Sequence, residues 1–222
     1  MSDTEQAAAA VAVLLLLTKG KSRVKNTSTF KGQIWTKSAA FDAELEAISK
    51  RVGVPFNWLF FNIMRESGAK PQAHVNHNKA NKSGFDFGLF DTASIGKNTW
   101  GGGLFGLVRP YAAPYIGSMS FEDWLRSDEM NQLKGFELWV SPFAKYIKEP
   151  ADIRLAGFAP AFLKSPDSAT VYKDPSKSYT AHAYLDVNDD GKLSKGELKE
   201  IWRKQYEASE AKAAKKGKAT QV

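Results

Sequence analysis

The sequence predicts a mainly α-helical fold, and three observations carry that prediction. Phe41, Leu45, Ile48 and Val52 recur at the spacing of one helix face, and Gly53 closes the run. Phe56, Leu59, Phe60, Phe61 and Ile63 crowd a short apolar stretch between Pro55, which suits a first helical position, and Gly68, which suits a helix end. No stretch alternates apolar and polar residues in the manner of a half-buried strand.

The elements follow in order. Ala7 to Leu17 is a run of eleven apolar residues. As a helix it rises only about 16 Å, short of the roughly 20 residues that span a bilayer. Asp3 and Glu5 precede it, and the cations Lys19, Lys21, Arg23 and Lys25 follow, the reverse of a secretory signal. A docked terminal helix, an interfacial membrane anchor and an atypical export signal all remain open for this segment. Residues 18–37 read as a basic linker, and 38–172 as a helical domain. Within that domain 69–105 is Asn- and Gly-rich and reads as a long structured loop region. Further helices are predicted near 107–116, over 121–126 after Ser120, over about 128–147 after Ser127, and from Pro150 through Ile153, Leu155 and Phe158. Residues 173–205 form a second module, and 206–222 a basic, Ala-rich tail carrying Lys212, Lys215, Lys216 and Lys218.

At 222 residues the chain holds one good-sized core with room for a small appended module. The absence of cysteine excludes disulfides, thiolate metal sites and cysteine nucleophiles. A formal net charge of +7 favours polyanionic partners: cell wall, anionic lipid or nucleic acid. Nucleic acid ranks last, because no recognised binding motif accompanies the charge. His74 and His77 are too close for the usual helical metal pair and read as loop residues.

Glu66 is the first candidate for chemistry. It follows Ile63 by three residues and Leu59 by seven, so it projects from the border of the apolar face. It also falls in the last turn, where the negative end of a helix disfavours an anion, and partial burial acts in the same direction. A protonated carboxyl in a cleft is what glycosidic cleavage needs, because the leaving oxygen must be protonated as it departs. Read alone, a Glu near a helix end followed by Ser-Gly is more often a solvated residue.

The surrounding pattern adds to this. Glu66-Ser67-Gly68, then Pro71 and Ala73, then Gly103-Leu104-Phe105-Gly106-Leu107 with Pro110 and Ala112-Ala113, resembles the lytic transglycosylase family. Upstream Ala47-Ile48 and Val52-Gly53-Val54-Pro55 fit the family's lead-in. Gln132-Leu133, Phe143 with Tyr146, and the stretch from Leu155 to Ala161 look like a branch found in bacterial and bacteriophage wall-lytic proteins. The chain departs from the family at Gly106, where Gln is usual, and at Phe158-Ala159, where a Tyr-Asn pair is common.

The resemblance implies a helical fold of the goose-type lysozyme and lytic transglycosylase kind. It implies cleavage of the β-1,4 bond between N-acetylmuramic acid and N-acetylglucosamine, with Glu66 as acid and then base. It casts Ser67, Gly103, Leu104, Phe105 and Tyr111 as substrate-facing residues, and peptidoglycan glycan strands as the partner. A virion or the cell envelope is the implied location, with residues 7–17 meeting a membrane or a virion component. Asp86 and Asp91 leave a hydrolytic lysozyme of the same fold open, since either could orient a water. A non-catalytic wall-binding or virion structural protein is the other alternative.

The second motif runs from Asp186 to Glu197 and matches an EF-hand loop at each diagnostic position. Asp186, Asn188, Asp190 and Glu197 supply side-chain oxygens for one structural calcium, and Lys192 a backbone carbonyl. Gly191 permits the sharp turn, Ser194 ligates directly or through water, and Leu193 packs inward. Only one such loop is present, and the helix before it, about Tyr179 to Leu185, is short. Both features favour a structural ion over a sensor switch.

Overall fold

The computed structural model describes residues 38–67, 101–108 and 111–219. Residues 7–17, the linker, His74, His77, Asp86 and Asp91 lie outside the described residues. Within them the protein is mainly helical, as the sequence predicts.

Helix α1 (Ala39–Val52) starts at Ser38, whose hydroxyl accepts the Phe41 N–H at 3.1 Å, and ends at Gly53 in the left-handed conformation. It buries Phe41, Leu45 and Ile48 completely. Helix α2 (Phe56–Ser67) is buried on two sides. Phe56, Leu59, Phe60 and Ile63 enter the main core, while Phe61 and Trp58 meet Tyr206 and Ala213.

Among the described residues of the predicted helix near 107–116, Leu107–Val108 form a strand and Ala113–Tyr115 a 3-10 turn. Strands β1 (Gly101–Gly102) and β2 (Leu107–Val108) pair antiparallel, Gly102 opposite Leu107. Gly103 and Gly106, at φ 73° and 68°, reverse the chain between them, which a helix cannot accommodate. Helix α3 (Phe121–Arg126) and helix α4 (Glu129–Val140) follow, capped by Ser120 and Asp128. The predicted helix to 147 loses its α form at Ser141–Tyr146, a 3-10 turn, since Pro142 brings no N–H to continue the ladder. Helix α5 (Pro150–Phe158) begins where the Asp152 carboxylate accepts the N–H groups of Lys148 and Glu149, at 2.8 and 3.0 Å.

The C-terminal part holds β3 (Thr170–Lys173), α6 (Lys177–His182), a 3-10 turn at Ala183–Leu185, β4 (Lys192–Ser194) and α7 (Lys195–Ala219). Strands β3 and β4 pair antiparallel with an irregular register. Both ladders are too short for an alternation to show in sequence. Leu185, Leu193, Leu198 and Trp202 belong to the same hydrophobic cluster as Phe41 and Ile63, so 173–205 shares the core of 38–172. The boundary read at 205/206 falls inside α7, because Tyr206 and Ala213 stand two turns apart on a face buried against Phe61. The Asn57 amide donates to the Tyr206 hydroxyl at 2.5 Å, and that hydroxyl donates to Glu210 at 2.7 Å.

An ion cluster fastens α7 to α5. Lys199 meets Glu149 at 2.6 Å and Asp152 at 3.3 Å, and Arg203 meets Glu149 at 2.9 Å. Burial works against both charges, but the partners outweigh it. Lys199 is held above its ordinary range by Glu149 and Asp152, and Glu149 below the ordinary carboxylate range by Arg203 and Lys199.

Candidate active site and calcium-type loop

The end of α2 is tied to the β1–β2 turn by two buried polar side chains. Ser67, wholly buried, turns its hydroxyl between the carbonyls of Ile63 (3.0 Å) and Leu104 (2.9 Å). Gln132 on α4, also wholly buried, accepts the Leu104 N–H at 2.8 Å and donates to the carbonyls of Trp124 and Leu125. An amide with its oxygen and nitrogen both matched inside a core fixes one geometry, since any shift leaves a polar group unpaired. The turn therefore sits at a defined position over α2.

Glycine is required at both corners. A Cβ on Gly103 would stand 2.7 Å from the Trp124 ring and 2.8 Å from Gln132 Oε1. A Cβ on Gly106 would stand 2.8 Å from Glu66 Oε2. Glycine at 106 thus has a local cause: the backbone is left-handed there, and the Glu66 carboxylate lies directly against it. Gly106→Ala is expected to move that carboxylate, because a left-handed alanine costs about 1–2 kcal/mol and its methyl collides with Oε2. A displacement of about 1 Å lowers turnover on the order of 100-fold where acid–base geometry matters. Assay of the variant on sacculi checks this; turnover equal to wild type would show that Glu66 does not act from this position.

The carboxyl of Glu66 is partly exposed, its side chain retaining 28% of its accessible surface. Arg154 of α5 contacts its Oε1 through Nη1. The helix end and burial are the surroundings the sequence predicts for this carboxyl; the structure adds the Arg154 guanidinium as a neighbour. Sequence reading missed Arg154. A signal was there: it is a lone cation between Ile153 and Leu155, both fully buried.

Three of the residues predicted to face substrate act instead as scaffold. Ser67 and Leu104 are inaccessible, and the Phe105 ring packs among Trp124, Phe136 and Trp139 at 5.4–5.6 Å. Their side chains cannot touch a glycan while the core is intact. Gly103 contributes its backbone corner. Tyr111 is 67% exposed and open to a ligand.

The loop from Asp186 to Glu197 turns through Asp189 (φ 57°) and Gly191 (φ 76°), both left-handed. Asn188 Oδ1 accepts the Asp190 N–H, and Asp190 Oδ1 the Lys192 N–H, in successive side-chain turns. Asp186 Oδ2 accepts from the Tyr179 hydroxyl at 2.7 Å and the Gly191 N–H at 2.9 Å. The Tyr179 hydroxyl holds the Asp186 carboxyl below its usual range, and that bond pushes the Tyr179 phenol up to about 12. Glu197 Oε2 accepts from the Ser194 N–H and hydroxyl at 2.9 and 2.8 Å.

The remaining oxygens of the two end residues, Asp186 Oδ1 and Glu197 Oε1, are buried without a hydrogen-bond partner. Orphaned anionic oxygens at the first and last positions are what a cation would satisfy. Among the described residues, no group of three or more His, Asp or Glu side chains is gathered tightly enough to hold a metal.

No family model matches the chain, and no curated protein or solved structure matches it.

Proposed function

We propose that the protein is a lysozyme-like, lytic-transglycosylase-type enzyme that cuts peptidoglycan glycan strands with Glu66 as its acid/base. The observation that carries this reading is the placement of Glu66: a partly exposed carboxyl at the end of a buried helix, set against a glycine turn that Ser67 and Gln132 lock in place. Precise support around one accessible carboxyl is the arrangement acid–base catalysis requires.

The reaction needs one carboxyl. Glu66 gives its proton to the glycosidic oxygen as the bond from that oxygen to C1 of the muramoyl residue breaks. The resulting carboxylate takes the proton of the muramoyl 6-hydroxyl while that oxygen bonds to C1. The product carries a 1,6-anhydro end, Glu66 recovers its proton, and no water is consumed. Tyr111, exposed beyond the turn, offers an aromatic face for a sugar ring.

The Asp186–Glu197 loop reads as a structural calcium site with Asp186, Asn188, Asp190, Lys192 and Glu197 as donors. Calcium bound there would supply the positive charge that the two orphaned oxygens lack. Residues 7–17 fit a docking segment for a membrane or virion component, consistent with an enzyme carried in a virion or the cell envelope.

Zymography on peptidoglycan tests the activity. A cleared band from wild-type protein is expected; no clearing under conditions where a control lysozyme clears would support a non-catalytic wall-binding protein instead.

A further inference from the structure

Arg154 belongs to α5, 88 residues beyond the carboxyl it contacts. Its guanidinium also lies over the Trp202 ring of α7, 5.9 Å from the centroid. Trp202 is buried at 4% exposure and braced edge-on by Phe158, one turn after Arg154 on α5. The Lys199 and Arg203 contacts with Glu149 and Asp152 then hold α7 against α5. Arg154 Nε is buried with no hydrogen-bond partner. Leaving a buried donor unmatched is unfavourable, and the ion pair and the aromatic face are the contacts that offset it. The guanidinium is therefore held where it is by Glu66 on one side and α7 on the other.

Resting on the reading of Glu66 as the acid/base, we propose that Arg154 is a positioning residue for Glu66 and that Trp202 positions Arg154. The helix leaving the calcium-type loop thereby completes the acid/base site. Arg154 engages Oε1 and leaves Oε2, against Gly106, as the oxygen that carries the proton. It also steadies the carboxylate at the stage when Glu66 acts as base. Among the described residues, the charges facing Glu66 are few. Arg154 comes from α5 and Arg65 from its own helix, and the 103–106 turn adds only backbone and apolar side chains. Lys199 and Arg203 on α7 are engaged by Glu149 and Asp152.

The test is a carboxyl titration of the full chain carrying carbon-13 in its glutamate carboxyls, with the Glu66 signal identified by its loss in Glu66→Gln. In Arg154→Met the signal is expected to titrate at higher pH than in wild type, because an opposing cation within contact favours the ionised form. Trp202→Leu moves it the same way by a smaller amount, and Arg154→Lys, which keeps the charge, restores it to within about 0.3 unit of wild type. Arg154→Gln gives the same shift and replaces the methionine variant if that does not fold. A midpoint in Arg154→Met or Arg154→Gln within about 0.3 unit of wild type overturns the role of Arg154. An unmoved midpoint in Trp202→Leu alone overturns the part assigned to α7. No substrate enters this measurement, so a shifted titration in a protein that leaves sacculi intact would reject the proposed enzyme and keep the Arg154 assignment.

Discussion

Glu66→Gln is expected to abolish glycan cleavage while leaving fold and wall binding intact. The amide keeps the size of the carboxyl and its contact with the Gly106 turn, but it has no proton to give a leaving oxygen. Loss of general acid catalysis costs about 100- to 10,000-fold. In the proposed reaction the same group serves twice, as acid and then as base, so the upper end of that range is expected. Turnover on sacculi, measured beside a sedimentation assay for wall binding, separates the chemistry from recognition. A variant retaining a tenth of wild-type turnover would remove Glu66 from the acid role. Asp86 and Asp91 would be the next carboxyls to substitute.

Calcium is expected to produce the second large effect. An ion that binds only the folded chain stabilises it by about 2.7 kcal/mol when free calcium is a hundred times the dissociation constant. For a chain of this length that corresponds to a rise of roughly 5–10 °C in melting temperature. A chelator should reverse the rise, and magnesium should act weakly because it demands a smaller octahedral shell. Glu197→Gln should lose most of the response, since it replaces a carboxylate whose Oε1 is buried and unpaired. Differential scanning calorimetry with calcium, magnesium and chelator reads all of this. A melting temperature indifferent to millimolar calcium would reject the site.

The parts of the fold legible in sequence are those whose signal is local. Phe41, Leu45, Ile48 and Val52 mark α1 because one helix buries one stripe, and the caps Ser38 and Gly53 bound it. Pro55 and the aromatic run mark α2 in the same way. The turn within Asp186–Glu197 is legible because Asn188, Asp190 and Gly191 are residue types that turn the chain. The β1–β2 turn is not legible, since two-residue strands carry no periodicity and nothing local marks Gly103 and Gly106 as its corners. Their meaning lies in what a side chain there would strike: Trp124, Gln132 and Glu66.

Much of the site was less legible for a related reason. Glu66 stands out through its position on an apolar helix, but its partner does not. Arg154 reads as a surface cation until α5 is folded against α2, and Trp202 as a core residue until α7 covers both. Gln132 lies on a different helix from the turn it holds, 28 residues from Leu104, and only the folded chain shows its amide saturated. Conversely, Leu104 and Phe105 fit a substrate-facing motif by type, yet both are buried, with Phe105 packed among Trp124, Phe136 and Trp139. The Lys-rich composition of the tail masked Tyr206 and Ala213, whose seven-residue spacing is two helical turns.

The most direct measurement is the mass of the fragments released when the purified full chain is incubated with sacculi. Muropeptides ending in 1,6-anhydromuramic acid, absent with Glu66→Gln, are the expected result. Fragments with reducing ends, heavier by one water, would instead mean that a water attacks C1, making the enzyme a hydrolase. The absence of soluble fragments from a folded, wall-bound protein would contradict glycan cleavage altogether.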